Sequence, residues 1–138
     1  DVLKSALWSL PQVVVSERSL EADKEVFERM LHTRGDISKI EHEVYNRWFD
    51  HFAKDCTSNK IIYLRCDPAV AHSRIRKRNR QGENITLQYL RQCHAAHEEW
   101  LTKIDQSKLL ILDANQDLIE DPRLHSKWIA QICDFIDK

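Results

Sequence analysis

Apolar residues occur along the chain in two kinds of run. Three runs are short and nearly continuous: Gln12 to Ser16 around Val13-Val14-Val15, Lys60 to Arg65 around Ile61, Ile62, Tyr63 and Leu64, and Lys108 to Asp113 around Leu109-Leu110-Ile111-Leu112. Such runs are too short for stable helices and lack polar alternation, so they predict strands covered on both faces in a parallel sheet. Between them apolar residues recur every three or four positions, the helical period. Strands alternating with helices predict an α/β layered protein with a parallel sheet.

Local punctuation sharpens the helices. Val2 to Leu10, with Leu3, Ala6, Leu7 and Leu10 on one side, reads as a short amphipathic helix ended by Pro11. Leu20 to Leu31 presents Leu20, Phe27, Met30 and Leu31, and Gly35 marks its stop. Asp36 is placed to cap the next helix, Ile37 to Phe52, whose stripe is Ile37, Ile40, Val44, Trp48 and Phe52, flanked by Tyr45 and Phe49. Cys56 to Asn59 is a polar connector. Asp67-Pro68 opens a third helix, because Asp can cap free N–H groups and Pro at the first position loses nothing. Thr86 is the predicted N-cap of a fourth, with Ile85 and Leu90 positioned as a hydrophobic staple. Its apolar stripe is Leu87, Leu90, His94, His97, Leu101 and Ile104, and a last helix near Pro122 presents Leu124, Trp128, Ile132 and Phe135.

Two acids interrupt this pattern. Asp23 projects between Leu20 and Phe27, which would turn a carboxylate inward, although an acid in a first helical turn is also favoured by the helix dipole. Glu41 falls within the Ile37 to Phe52 stripe, where a buried carboxylate has to be paired or hydrogen-bonded. It is either a core polar contact or a site residue. Glu17-Arg18-Ser19 follows the first predicted strand, at the sheet edge where α/β proteins bind ligands.

Charge adds a local feature to a near-neutral whole. The 138 residues carry a formal net charge of −1 with 42% apolar and 31% charged residues, enough for one domain's core. That balance gives no reason to expect nucleic acid or a membrane surface as partner. Arg74, Arg76, Lys77, Arg78 and Arg80 nonetheless put five cations into seven residues, followed by Gln81-Gly82-Glu83-Asn84. The cluster suits an anionic ligand such as a phosphate, whose transfer needs donors around its equatorial oxygens. A solvated helix face or a basic targeting patch would read the same way. Cys56, Cys66, Cys93 and Cys133 are widely spaced, which fits free thiols. His94 and His97 are better read as core histidines than as metal ligands. There is no long apolar run and no signal-peptide pattern, so a soluble chain, cytoplasmic with mitochondrial or nuclear placement also open, is expected.

Four stretches in this order, VVVSERSLEADKEVF, IEHEVYNRWFDHF, IIYLRCDPAVAHSRIRKRNRQGENITLQYLRQCHAAHEEWL and LLILDANQDL, resemble the cellular-type deoxynucleoside kinases, the family of deoxycytidine, deoxyguanosine and mitochondrial thymidine kinases. The resemblance implies a P-loop-kinase-like parallel sheet flanked by helices, one domain over 1–138 with a lid at about 74–85, and the family's homodimer. It implies ATP as donor with Mg2+, and phosphorylation of a deoxynucleoside 5′-hydroxyl in nucleotide salvage. Glu17 matches the acid that helps hold magnesium and Arg18 the arginine beside the 5′-hydroxyl. Asp23 matches the position that faces the nucleobase, and Glu41 joins it as a substrate-side candidate. Arg74, Arg78 and Arg80 match the lid arginines over the donor phosphates, Glu83 the lid acid that reaches the sugar 3′-hydroxyl, and Gln116, Asp117 and Leu118 the loop beside the donor's adenine. The lid is one residue shorter than in the vertebrate enzymes, between Glu83 and Ile85, and Lys24 stands where an arginine is usual. An acid at the Asp23 position goes with deoxycytidine and purine deoxynucleosides rather than thymidine.

One expected motif is missing. Gly35 and Gly82 are the chain's two glycines, and neither precedes Lys-Ser or Lys-Thr, so no G-x-x-x-x-G-K-[ST] loop is present. The chain therefore reads as the C-terminal portion of such a kinase, an incomplete fold without its first strands and phosphate loop, and is expected to be inactive as given. Two other readings are a catalytically inactive relative that binds a nucleotide or partner, and a nucleic-acid module using the arginine patch, against which the neutral total charge argues.

Overall fold

The computed structural model describes residues 13–53, 56, 58–117 and 121–137. The predicted helix Val2 to Leu10 lies outside them. By its internal contacts the chain divides into two units, Asp1–Ser58 and Asn59–Lys138.

Among the described residues, the first unit is built on two helices. Helix α1 comprises Leu20–Ala22, a π-helical stretch Asp23–Glu28, and Arg29–Arg34. Ser19 caps it, its Oγ accepting from the Ala22 N–H at 3.1 Å. Gly35 ends it at φ +79, where the Gly35 N–H donates to His32 O and the Asp36 N–H to Leu31 O, a closure that needs left-handed backbone. Helix α2 is Lys39–Phe52. Its N-cap is Ser38 and not Asp36: the Glu41 N–H donates to Ser38 Oγ at 3.3 Å and Glu41 Oε2 accepts from the Ser38 N–H at 2.7 Å, a reciprocal capping box.

That box corrects the expectation for Glu41. The residue is exposed, serving the helix end rather than a buried stripe, and the stripe itself is open, with Ile40, Val44, Trp48 and Phe52 all exposed. The interior of α1 is also shifted. Ala22, Val26 and Glu28 are buried whereas Leu31 and Asp23 are exposed. A π-helical turn bonds i to i+5 and so carries an extra residue, which rotates the following side chains away from the 100° spacing that the pattern assumes. Buried Glu28 is not left alone: its Oε1 lies 2.6 Å from His42 Nδ1, and His42 stacks on His32 with centroids 3.9 Å apart.

The first predicted strand, Gln12 to Ser16, does not form among the described residues. Val13 to Ser16 has no strand structure, and Val15 is 77% exposed. β-branched residues favour a pleated surface only where a neighbouring strand and a covering layer exist to pack against.

The second unit contains the sheet among the described residues. Strand β1, Ile61–Arg65, pairs in parallel with β2, Leu109–Asp113, in the register Ile61 to Leu109 through Arg65 to Asp113. Helices α3, Pro68–Arg78, and α4, Leu87–Leu101, form the crossover, and α5, Pro122–Ile136, follows β2. Pro68 starts α3 as expected, although the Asp67 side chain makes no cap bond. Instead the Asp67 N–H donates to Asn115 Oδ1 at 2.8 Å. Thr86 caps α4, its Oγ1 accepting from the Tyr89 N–H at 3.2 Å. The core gathers Trp100, Leu101, Leu112 and Leu124, with Leu112 2% exposed. His94 and His97, expected in the core, are half-buried; His97 Nδ1 lies 2.7 Å from Cys93 O and its ring stacks on Tyr63. The full coverage expected of the strands is only partial, since Leu64 and Ile111 are exposed.

Candidate functional site

In the first unit the residues Glu17, Arg18 and Ser19 precede α1. Because Ser19 is spent on the cap, the two charged residues lie in the turn before the helix. Arg18 adopts φ +62, a left-handed conformation that costs a non-glycine residue energy and that clusters at functional positions. Ser16 Oγ donates to Arg18 O at 3.1 Å, and the Arg18 guanidinium sits 4.5 Å from the Phe27 ring centre.

Asp23 accepts a 2.9 Å hydrogen bond from the Tyr45 hydroxyl. Burial, then the Asp23 hydrogen bond and the charges of Asp23 and Glu28, push the Tyr45 phenol well above the ordinary tyrosine range, so it stays a donor. Beside it Lys24 Nζ bonds Asp50 Oδ1 at 3.1 Å and lies 4.5 Å from the Phe49 ring centre. Glu41 is not brought to Asp23 by any of these contacts. Its carboxyl is held below the usual range by the Ser38 N–H and hydroxyl, the signature of a cap. Tyr45 is the residue that pattern reading passed over, because an aromatic beside an apolar stripe looks like core.

In the second unit the clustered cations separate into two kinds. Arg76, Lys77, Arg78 and Arg80 are exposed, while Arg74 is half-buried. Arg74 Nη1 donates to Ala114 O at 2.6 Å, and Nη2 to Asn115 O and Gln116 O, each at 3.0 Å. Arg74 and Gln116 are thus brought together; Asp117 follows in the same loop, and Leu118 lies outside the described residues. Asn79 closes α3 in the left-handed conformation, which turns the chain into the segment that leads to Glu83.

Glu83 sits where the chain folds back. Its Oε1 accepts from Arg78 Nη2 at 2.5 Å, and its side chain is 16% exposed. Its other oxygen, Oε2, is buried with no hydrogen-bond partner among the described residues. A buried carboxylate oxygen without a donor is costly, so it marks a place where a donor is wanted. Glu83 lines a cleft of about 520 Å³ together with His72, Arg76, Asn79, Arg80 and Asn84 and the apolar Ile75 and Ile85.

Comparisons with known proteins identify the family. Residues 2–137 match the family model for deoxynucleoside kinases. The chain is 32% identical over 133 residues to a probable deoxycytidine kinase of Fowlpox virus, covering 91% of this chain and 56% of that protein. It is 31% identical over 134 residues to deoxycytidine kinase 2 of Gallus gallus, covering 87% and 51%. Over 118 residues it is 37% identical to a putative kinase of Invertebrate iridescent virus 3, covering 84% and 58%. The chain therefore spans about half the length of these relatives. Among solved structures, the deoxyadenosine kinase from M. mycoides with bound dCTP matches with a TM-score of 0.67 at 22% identity, over 83% of this chain and 62% of that one. This likeness carries the fold: β1, β2 and their helices form part of a P-loop-kinase-like α/β layer. With residues 2–137 matched throughout and the arginine-rich turn and Glu17-Arg18-Ser19 in their expected order, the chain belongs to the deoxynucleoside kinase family.

Proposed function

We propose that the complete protein transfers a phosphoryl group from ATP to the 5′-hydroxyl of a deoxynucleoside, a step of nucleotide salvage. The observation that carries this reading is the buried, unpartnered Oε2 of Glu83, a residue whose Oε1 pairs with Arg78 and which helps to line a cleft. A carboxylate oxygen of that kind is suited to accept a hydrogen bond from a hydroxyl, and the sugar 3′-hydroxyl is the donor this substrate class offers. Arg78 and Arg80, both exposed, supply positive charge for donor phosphates. Gln116 and Asp117, with Leu118 next in sequence, are assigned to the donor's adenine, and Arg18 is the group beside the 5′-hydroxyl.

Magnesium fits the residues present. Among the described residues no cluster of three or more His, Cys, Asp or Glu side chains could cage a metal. Mg2+ does not require one, because it keeps several waters and binds through one or two carboxylates plus substrate phosphates. The exposed Glu17 is a carboxylate of that sort; when bound, the ion would neutralise charge on the donor phosphates. Asp23 favours a base with an amino or ring N–H, so deoxycytidine or a purine deoxynucleoside over thymidine. A homodimer and a cytoplasmic location complete the reading, the second compatible with the finding that no helix among the described residues is long and apolar enough to cross a membrane.

The absence of G-x-x-x-x-G-K-[ST] from these residues favours one second reading, a relative that binds nucleotide or a partner without catalysis. Assay of phosphate transfer from ATP to the four deoxynucleosides separates the two. A protein extended upstream to include a phosphate loop should be active and the chain as given inactive; an extended protein without activity would leave the binding relative.

A further inference from the structure

Arg74 differs from every other cation in its helix. A guanidinium offers five N–H donors in a rigid fork. Here three are spent on consecutive backbone carbonyls, those of Ala114, Asn115 and Gln116, and Nη1 also lies 3.7 Å from Cys66 Sγ. The same loop is tied to the end of β1 by the Ala114 N–H donating to Arg65 O at 2.7 Å, and to Asp67 by Asn115 Oδ1. It is braced internally by the Asn115 N–H on Asp113 Oδ1 at 3.0 Å.

We infer that Arg74 is a positioning residue that fixes the shape of the loop after β2, and through it the donor's base, rather than a ligand of the donor phosphates. The inference rests on the kinase reading above. Moving Arg74 onto a phosphate would strip three carbonyls of their donors at once, two of them on half-buried residues, whereas Arg80 is already exposed and the exposed Arg78 has a single bond, to Glu83, to exchange. Because a trans peptide is planar, turning the Asn115 and Gln116 carbonyls toward Arg74 also turns the Gln116 and Asp117 N–H groups the opposite way. One side chain of α3 thereby sets which main-chain donors the loop presents. A lysine could not do the same, being a single point charge without the fork.

Two measurements test this. Amide hydrogen exchange in the chain itself should speed up by about tenfold or more at residues 114–117 in Arg74→Gln, with the β1–β2 ladder unchanged as a check on folding. Should that variant fail to fold, Arg74→Lys carries the same expectation. In the extended enzyme both variants should raise KM for ATP by about tenfold while kcat stays within about threefold, and should narrow the discrimination between ATP and the other nucleoside triphosphates. Unchanged exchange at 114–117 would overturn the inference. So would a loss of kcat equal for all four donors and rescued by lysine, the behaviour of a phosphate ligand. If the unsubstituted extended protein transfers no phosphate, the kinase reading falls while the exchange result still decides the role of Arg74.

Discussion

Tyr45 donates its hydroxyl to Asp23 across 2.9 Å, joining α2 to the π-helical stretch of α1. The acid that the pattern places inside an apolar face is therefore exposed and held by one phenol, with its remaining acceptor capacity open to a ligand. On the proposed function that ligand is the nucleobase. Asp23→Ala should relax preference toward thymidine in the extended enzyme, since a site built around a hydrogen bond can discriminate by roughly 10⁴ against a base that leaves it unmade. Tyr45→Phe should act more mildly, costing about tenfold in kcat/KM for deoxycytidine through loss of one charge-assisted bond. Relative rates among the four deoxynucleosides that do not move in Asp23→Ala would take Asp23 out of the site.

Glu41 makes a different prediction from the one its position in the pattern suggests. With its carboxylate on the Ser38 N–H and its own N–H on Ser38 Oγ, it belongs to the start of α2. Ser38→Ala should destabilise the protein by about 1 kcal/mol, the usual cost of losing an N-cap. Glu41→Gln, which preserves the capping geometry, should leave the enzyme's kcat/KM unaltered. The sign of the pH effect follows from the lowered Glu41 carboxyl: its stabilising contribution is present above the ordinary glutamate range and lost as pH falls through the folded value. Thermal unfolding of both variants across acid pH, with kinetics of Glu41→Gln, checks this; a large kinetic defect in Glu41→Gln would restore Glu41 to the site.

These residues show what could be read from the chain. The strands β1 and β2 were legible because four consecutive apolar residues bounded by polar ones leave little else to be, and the Thr86 and Gly35 boundaries because capping and left-handed closure are local chemistry. Ser38-x-x-Glu41 was equally local, a capping-box spelling that the apolar stripe around it obscured. Three features had no such spelling. A π-helical stretch depends on which carbonyl each N–H chooses, so the rotation that buries Val26 and Glu28 and leaves Leu31 exposed is invisible to a fixed 100° count. Val13-Val14-Val15 has strand composition, yet composition supplies no pairing partner. The Arg74 cluster shows its charge in the sequence, but its partners lie about forty positions downstream and are backbone carbonyls, which every residue has.

Tyr63 should titrate late. It is pushed up to about 12, first by burial, then by the charge of Glu98 and a hydrogen bond to it, with Arg65 pulling partly the other way. Arg65 and Glu98 are themselves paired, Nε donating to Oε1 at 3.0 Å and Nη2 to Oε2. A phenol whose folded value exceeds its unfolded one stabilises the fold fully below the ordinary tyrosine range, and that contribution is lost as pH rises toward the folded value. Stability should thus fall on the alkaline side, and less steeply in Tyr63→Phe. In a spectrophotometric titration the absorbance step removed by Tyr63→Phe should sit near the raised value; a missing step in the ordinary tyrosine range would refute the assignment.

Lys60 closes the far end of the second unit. Its Nζ donates to Phe135 O at 2.6 Å and Ile136 O at 3.0 Å, and lies 5.2 Å from the Phe135 ring centre. A cation on the last carbonyls of a helix satisfies groups that have no partner within the helix and complements its negative end. Since Lys60 is also the residue before β1, this contact anchors α5 to the entry of the sheet. Lys60→Met retains the aliphatic stem and removes the ammonium, and should cost about 1 kcal/mol in unfolding free energy. Faster exchange should appear at the last turn of α5 before it appears in the β1–β2 ladder, because the helix end loses its donor while the strand pairing does not. Equal stability of Lys60→Met and the unsubstituted chain would mean that water replaces the ammonium at those carbonyls without penalty, and that α5 is held by Leu124 and its half-buried neighbours Trp128, Ile132 and Phe135 alone.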